Sequence, residues 1–187
     1  MLHPVVPFSQ NLRSKALTLH GTSQLTKDFT KSWRDQEHFV QYLVRRQTMH
    51  RALDHVMAID TGLLGHLQAD LTSLDLDWRR RSVTDNLYAD YVMELDTREK
   101  LVAHYYAFVL AHVAGGGPSI VRSAASVLPA WFIPNSWYFN LRDRELLTTT
   151  IVQDINDETC YWTNEQAQTC LDELDKAFCF GLQIIHQ

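Results

Sequence analysis

The sequence contains few of the residues that interrupt regular secondary structure. Only 7 glycines and 5 prolines occur among its 187 residues. No apolar run approaches the ~20 residues that a membrane-spanning helix needs. The opening MLHPVVPFSQNLRSK lacks the basic start and the apolar stretch of a secretory signal peptide. We therefore expect a soluble cytoplasmic protein without a membrane partner, or an organellar protein whose transit peptide has been removed.

Basic residues and cysteines are also scarce. The 17 lysines and arginines are outnumbered by 22 acidic residues, which gives a net charge of −5. This balance argues against a nucleic-acid partner, because such binding depends on basic side chains that neutralise phosphates. The three cysteines, Cys160, Cys170 and Cys179, have spacings that suit no zinc site, and their odd number predicts reduced thiols. We expect Cys170 and Cys179 to lie on the buried face of the last helix.

Apolar residues recur at helical spacing, and no useful length of the sequence alternates as a strand does. A chain of 187 residues with 45% hydrophobic residues is long and apolar enough to bury the core of one domain. We therefore predict a single all-α domain over residues 1–187, present as a monomer. Capping boxes formed by Asp96 with Glu99 and by Thr163 with Gln166 mark two helix starts. The predicted helices span residues 11–20, 36–59, 63–74, 84–95, 96–114, 142–156 and 163–187, and residues 131–140 form a packed aromatic loop.

Three of the glycines are consecutive, at residues 115–117. Each glycine in a helix interior costs ~1 kcal/mol relative to alanine, so the run predicts a break or a sharp kink. A helix that ends at Gly115, followed by a helix that begins at Pro118, requires only one of them. The other two favour a backbone that approaches a flat or bulky ligand too closely for any Cβ. The run does not favour a phosphate loop, because no strand precedes it and no Gly-Lys-Ser/Thr follows it.

One of the nine histidines has neighbours that suit a metal ligand. His20 shares a predicted helical face with Leu12 and Ala16, and Arg13 lies two turns before it. A neutral imidazole can bind haem iron, and an arginine can pair with a propionate carboxylate at the haem edge. The alternative is a structural histidine on the helix surface, which is the interpretation that the pattern favours for most of the others.

Two segments together resemble the haem oxygenases. The run LVAHYYAFVLAHVAGGG (residues 101–117) resembles the distal-helix signature of that family, and LRSKALTLH (residues 12–20) resembles its first helix, which ends at the proximal iron ligand. HLQADLTSLDLDW and DELDKAFCFGLQII are similar to later segments of the family. The resemblance implies an all-α fold in which haem lies between the first helix and a kinked, glycine-rich distal helix. It also implies cleavage of haem to biliverdin, ferrous iron and carbon monoxide, with molecular oxygen and with electrons from a reductase or ferredoxin.

The resemblance also implies roles for individual residues. His20 would be the proximal iron ligand and thus the metal-binding residue. Gly115 and Gly116 would serve catalysis by letting the distal backbone lie against the haem face. The remaining contacts to haem would come from Arg13 at a propionate and from Tyr106, Ala111 and Phe178 along the pocket.

The chain departs from the family pattern at several of these positions. Ala111 and His112 replace the usual Gly-Asp, whose aspartate holds the distal water network. His112 would either deliver protons through a water, as a catalytic residue, or bind the iron as a sixth ligand. Phe108 stands where a basic residue is common, Gln24 replaces a carboxylate, and residues 148–157 offer no basic partner for a propionate. These departures keep open a second hypothesis, a repurposed haem-binding protein without catalysis, with two histidines on the iron.

Two other classes share this fold. Its di-iron oxidases need several carboxylates and histidines spaced three apart, and Asp35 with His38 is the one obvious pair here. Its thiaminase-like branch relies on a nucleophilic cysteine in the middle of the chain, whereas the cysteines here come late. The basic run at residues 79–81 is either a solvated connection or part of a docking patch for an acidic electron donor.

Overall fold

A computed structural model describes residues 6–22, 33–80 and 87–186. Gln24, Arg81 and residues 84–86 of a predicted helix lie outside the described residues. The fold is 77% helical, and the described residues contain no strand, so the predicted all-α class is confirmed. Within these residues no helix is long and apolar enough to cross a membrane.

Nine α-helices occur in the described parts of the chain. They are α1 (Phe8–Thr22), α2 (Gln36–Met57), α3 (Leu63–Leu74), α4 (Leu87–Met93), α5 (Arg98–Tyr105), α6 (Gly117–Ser123), α7 (Phe132–Asn135), α8 (Arg144–Thr159) and α9 (Asn164–His186). A 3₁₀ turn, Trp78–Arg80, follows α3. Two π-helical turns, Tyr106–Leu110 and His112–Gly116, join α5 to α6, and we call residues 98–123 the kinked helix.

The predicted helices agree with the structure except in the kinked helix and the aromatic loop. The predicted α-helix over residues 96–114 is wrong beyond residue 105, because the backbone there widens into π-helical turns. The predicted cap at Asp96 is also wrong: Thr97 is the N-cap of α5, and Asp96 accepts a hydrogen bond from Lys100 instead. The cap at Thr163 is confirmed, since Thr163 and Gln166 each donate a backbone amide to the other's side chain. The loop over residues 131–140 is packed as expected but contains the single turn α7.

The core lies where α2, the kinked helix and α9 meet. α2 carries the buried side chains Phe39, Leu43 and Leu53, and the aromatic loop packs Phe132 and Phe139 against it. α9 runs along α5 and also touches α1. Cys170 is buried on α9 as predicted, but Cys179 is exposed, so its predicted burial is wrong. The packing of α1, α2, the kinked helix and α9 encloses a cavity between them.

Candidate functional site

An apolar-lined cavity of about 470 Å³ lies between four elements of the described part of the chain. Ligand pockets commonly have volumes of ~300–1,000 Å³ and a mostly apolar lining with a few polar groups. α1 and α9 form one wall, and the kinked helix with α2 forms the other. The lining residues are Ala16, His20, Tyr42, Arg46, Tyr106, Ala107, Phe108, Ala111, His112, Gly115, Gly116, Ser119, Ile120, Leu174, Ala177, Phe178, Gly181 and Leu182.

His20 and Phe178 come together on the α1–α9 wall. The edge of one ring meets the face of the other, with centroids 4.7 Å apart and planes at 89°. Partial burial lowers the pKa of His20, which favours the neutral imidazole that a metal ligand must be. Both residues line the cavity, so the structure unites these two predicted site residues.

Arg13 lies outside the lining of the cavity. Its side chain is exposed on α1, although its charge is close enough to Tyr106 to act on it. Burial raises the pKa of Tyr106, and the Arg13 charge opposes that effect. Arg13 therefore occupies the neighbourhood of the cavity rim near Tyr106, whereas Tyr106 itself lines the cavity.

A different structural feature explains the presence of glycine at each of residues 115, 116 and 117. Gly115 has φ = 149°, a conformation that L side chains rarely adopt, and a Cβ there would meet nothing within 4 Å. A Cβ on Gly116 would lie 2.7 Å from the Ala111 carbonyl oxygen, and one on Gly117 would lie 2.7 Å from His112 Cε1. The chain's own packing thus requires glycine at residues 116 and 117. Only Gly115 leaves open space beside the cavity.

His112 is a buried, neutral imidazole on the kinked helix. Its Nε2 lies 2.9 Å from the Tyr138 carbonyl oxygen, and because a carbonyl only accepts, Nε2 carries the proton. The ring stacks on the Tyr138 ring with centroids 4.0 Å apart. Burial and the nearby Arg46 charge lower the pKa of His112 to about 3. Its Nδ1 is therefore unprotonated, and it has no hydrogen-bond partner among the described residues.

Arg46 is a buried cation that the sequence pattern did not single out. Its Nε and Nη2 donate to the Tyr138 hydroxyl at 3.0 and 2.8 Å, and Nη2 also donates to the Phe108 carbonyl oxygen at 3.1 Å. The Tyr138 hydroxyl lies 2.7 Å from His50 Nε2 and donates to it, since arginine supplies only donors. The spacing of Tyr42, Arg46 and His50 at every fourth residue of α2 was the available signal, because it places three polar side chains on one face. The guanidinium lies over the Phe108 ring, 5.5 Å from its centroid, so a positive charge reaches this region from α2.

Asp70 fixes the turn that carries Tyr138. One carboxylate oxygen accepts the Trp137 amide at 2.8 Å, and the other accepts the Tyr138 amide at 3.1 Å together with the Ser136 hydroxyl. Burial raises the pKa of Asp70, and these three hydrogen bonds oppose that effect. The contact joins α3 to the aromatic loop. It therefore positions Tyr138, on which both His112 and Arg46 depend.

Glu173 and Asp175 attach α9, which closes the cavity. Glu173 is 2% exposed and contacts His104 Nε2 at 3.0 Å and Lys176 Nζ at 3.0 Å, and it also accepts the Tyr91 hydroxyl at 2.5 Å. Asp175 pairs with Lys15 of α1 at 2.9 Å. These bonds hold the α9 residues Leu174, Ala177 and Phe178 against the cavity.

The residues predicted for other chemistries have structural roles here. Asp35 caps α2 by accepting the His38 amide at 2.8 Å. In the described ranges no group of three or more histidine, cysteine or acidic side chains is arranged to hold a metal ion. Burial raises the pKa of the Cys170 thiol to about 12, so it is not an activated nucleophile.

No protein-family model matches the sequence. Two curated plant proteins are similar over almost the whole chain. Haem oxygenase 1, chloroplastic, of Oryza sativa is 24% identical over 94% of this chain and 68% of the relative. Haem oxygenase 1, chloroplastic, of Arabidopsis thaliana is 23% identical over 95% of this chain and 72% of the relative.

Three solved structures have the same fold. Haem oxygenase-1 from Synechocystis in complex with haem superimposes with a TM-score of 0.75 and 20% identity, over 96% of this chain and 91% of that one. Haem oxygenase from Leptospira interrogans gives 0.73 and 15%, over 97% and 99%. Haem oxygenase-2 from Synechocystis in complex with haem and NO gives 0.73 and 19%, over 97% and 84%. Together these similarities show that the chain has the haem oxygenase fold and that its sequence resembles the plant haem oxygenases over almost its whole length.

Proposed function

We propose that this protein binds haem in the cavity and cleaves it to biliverdin, ferrous iron and carbon monoxide, using molecular oxygen and electrons from a reductase or ferredoxin. The observation that carries the proposal is the position of His20, Gly115 and Gly116. They line a single apolar cavity in a fold whose solved members include complexes with haem.

The residues of the cavity fit a flat, apolar group with an iron at its centre. His20 is held by Phe178 at the cavity wall and favours its neutral, metal-binding form. Gly115 offers bare backbone with no atom where a Cβ would stand. The rest of the lining is largely alkyl and aromatic, which suits a porphyrin face.

Each of the five predicted haem-binding residues has a defined task in this proposal. His20 would ligate the iron, and Arg13 would pair with a carboxylate at the exposed edge. Tyr106, Ala111 and Phe178 would fix the orientation of the ring and exclude water. Bound haem would supply the iron that activates oxygen beside the ring that is cleaved.

Proton delivery would differ from that in relatives with an aspartate at residue 112. The His112 proton is committed to the Tyr138 carbonyl oxygen, so the free atom of the ring, Nδ1, accepts a hydrogen bond and donates none. Tyr42 lines the cavity, and its buried hydroxyl has no partner among the described residues. We assign Tyr42, through a water, as a source of a donated hydrogen bond.

A non-catalytic haem protein is the second candidate, and His112 favours it. Metal-ligating histidines commonly donate their other ring N–H to a carbonyl or carboxylate, and His112 does so toward Tyr138. None of the residues lining the cavity is acidic. Coordination of the iron by His20 and His112 together would block the site for oxygen.

Haem titration of the purified protein separates the two candidates. For an oxygenase, reductant under air should abolish the Soret band and produce the broad red band of biliverdin. A six-coordinate, low-spin spectrum that persists under reductant and air would establish the second candidate, and H112A should convert it to a five-coordinate spectrum. A matched variant, H66A on α3, alters a histidine outside the cavity. Failure of the wild-type protein to bind haem would refute both.

The electron donor and the oligomeric state follow as secondary proposals. Arg79 and Arg80 are exposed on the 3₁₀ turn, with Arg79 stacked on Trp78 and Arg80 3.6 Å from Asp77. An acidic ferredoxin would find a basic contact there. R79E should slow ferredoxin-supported turnover and leave turnover with a chemical reductant unchanged, and sedimentation should report a monomer.

A further inference from the structure

We propose that the inner end of the cavity is an anion-binding site formed by Arg46 and Tyr42, in which a small inorganic anion or the carboxylate of a larger ligand lies against the guanidinium. The site shares its cavity with the proposed haem site. It does not require haem to bind there.

Arg46 is a buried positive charge without a negative partner among the residues that the structure describes. It is 6% exposed, and the groups that it contacts are the Tyr138 hydroxyl, the Phe108 carbonyl and His50. Among the described residues no carboxylate forms an ion pair with it, and no acidic residue lines the cavity. The guanidinium does not lose its proton in proteins. A buried charge without a counter-charge is costly, so a negative group that enters the cavity gains an unscreened attraction.

Two hydrogen-bond donors at this end of the cavity are uncommitted. The four hydrogen bonds of the Arg46 guanidinium involve Nε and Nη2, which leaves Nη1 without an acceptor among the described residues. The Tyr42 hydroxyl is buried and likewise has no partner in the described part of the chain. The two residues are one turn apart on α2 and both line the cavity. A charged donor beside a neutral donor is the arrangement that binds anions.

The hydrogen bonds around Arg46 fix the position of its guanidinium, which favours binding of an anion in the cavity over movement of the side chain out of it. Tyr138, which holds two guanidinium nitrogens, is itself fixed by Asp70 through its backbone amide. Arg46 therefore cannot swing toward solvent without breaking a network of buried bonds. The anion must come to the guanidinium.

Azide binding to the haem-free protein tests the site directly. Calorimetry and the azide infrared stretch, in a chloride-free buffer at constant ionic strength, should report one azide per chain. R46M should weaken azide binding at least tenfold, and Y42F should weaken it several-fold. R51M removes an exposed arginine of the same helix and should leave the affinity unchanged. If R46M fails to fold, R46K retains the charge without the fork and should bind azide with intermediate affinity.

A second arm identifies the source of the anionic group. If a ligand carboxylate occupies the site, haem should bind more tightly than its dimethyl ester, and R46M should reduce that difference to the part that Arg13 contributes. If the anion is a free one, azide should bind the haem-free protein, and esterification should have the same effect in wild type and R46M. Absence of azide binding, together with an ester effect that is insensitive to Arg46, would show that the cavity end holds only water and would overturn the proposal. Since the azide arm uses no haem, its result is independent of the proposed function.

Discussion

His112 packs against Gly117 so closely that a Cβ on residue 117 would lie 2.7 Å from Cε1 and 2.9 Å from Nε2 of the imidazole. The Tyr138 ring stacks on the same imidazole. The third glycine of the run thus gives room to the imidazole of His112. Its role is to accommodate residue 112.

G117A should therefore destabilise the protein. Overpacking a dense site costs ~1–3 kcal/mol, and the change should lower the denaturation midpoint in urea. In the double variant H112A/G117A, the loss caused by the new methyl group should largely disappear, which a double-mutant cycle measures. G65A is the matched control, because a Cβ there meets nothing within 4 Å and alanine gains ~1 kcal/mol over glycine in a helix. Equal stabilisation by G65A and G117A would contradict the packing.

Gly115 should be intolerant of alanine for a conformational reason. Its φ of 149° is strained for any L side chain, at a cost of ~1–3 kcal/mol, although the space beside it is open. G115A should thus lower the free energy of unfolding, and H112A should not rescue it, in contrast to G117A. Urea denaturation of G115A and H112A/G115A provides the comparison. Rescue of G115A by H112A would show that the cost is a clash.

The regular helices follow from the sequence because their signals are local. The helix predicted over residues 63–74 has the same ends in the structure, because the apolar spacing within it and Gly62 before it are local signals. The resemblance to a family implies that His20 and Phe178 both face the pocket, whereas the contact between their rings is seen only in the structure. The π-helical turns are different, because no side chain between Tyr106 and Gly116 marks a widening that depends on tertiary packing.

The hydrogen-bond partners in the polar half of the candidate site could not be predicted from the sequence, although the spacing of Tyr42, Arg46 and His50 places three polar side chains on one face of α2. Arg46 is buried, whereas arginine is expected at the surface. Only the structure shows that its guanidinium donates to the Tyr138 hydroxyl. Asp70 resembles an ordinary acidic residue late in a helix until the aromatic loop meets it. Hydrogen bonds between residues that are far apart in the sequence produce no periodic pattern from which they could be predicted.

Asp70 should control the geometry of the site from outside the cavity. D70A would leave the Trp137 and Tyr138 amides and the Ser136 hydroxyl without their acceptor, and each buried unpaired donor costs ~1–3 kcal/mol. We expect a loss of more than ~2 kcal/mol in unfolding free energy and an altered near-ultraviolet circular dichroism spectrum as Tyr138 loosens. D90N changes an exposed aspartate on α4 and should leave both unchanged. An unaltered aromatic spectrum in D70A would mean that Tyr138 is held by other contacts.

Stability should fall as the pH decreases from about 6.5, because His112 is buried in its neutral form. Its pKa is lowered to about 3 in the fold, so its contribution is complete above the unfolded pKa of about 6.5 and is lost as the pH falls toward 3. The expected slope is ~1.4 kcal/mol per pH unit per buried histidine, and His50, whose pKa also lies well below its ordinary value, adds to it. H112N should reduce the slope measured by urea denaturation between pH 6 and pH 4.5. H55N, at an exposed position on α2, should leave this slope unchanged. An unchanged slope in H112N would indicate that His112 is protonated in the fold.

Glu173 should produce a second loss of stability at lower pH. Burial alone would raise the pKa of this carboxyl, but hydrogen bonds from His104, Tyr91 and Lys176 outweigh it and lower the pKa to about 2. The stabilisation is therefore present above the unfolded pKa of about 4.5 and is lost between that value and pH 2. E173Q should cost about 3 kcal/mol at pH 7, and the difference from wild type should narrow below pH 4. E165Q, at an exposed glutamate of the same helix, should have the same dependence of unfolding free energy on pH as the wild type. If the unfolding free energies of E173Q and wild type differ by a constant amount from pH 7 to pH 3, Glu173 stabilises α9 by packing alone.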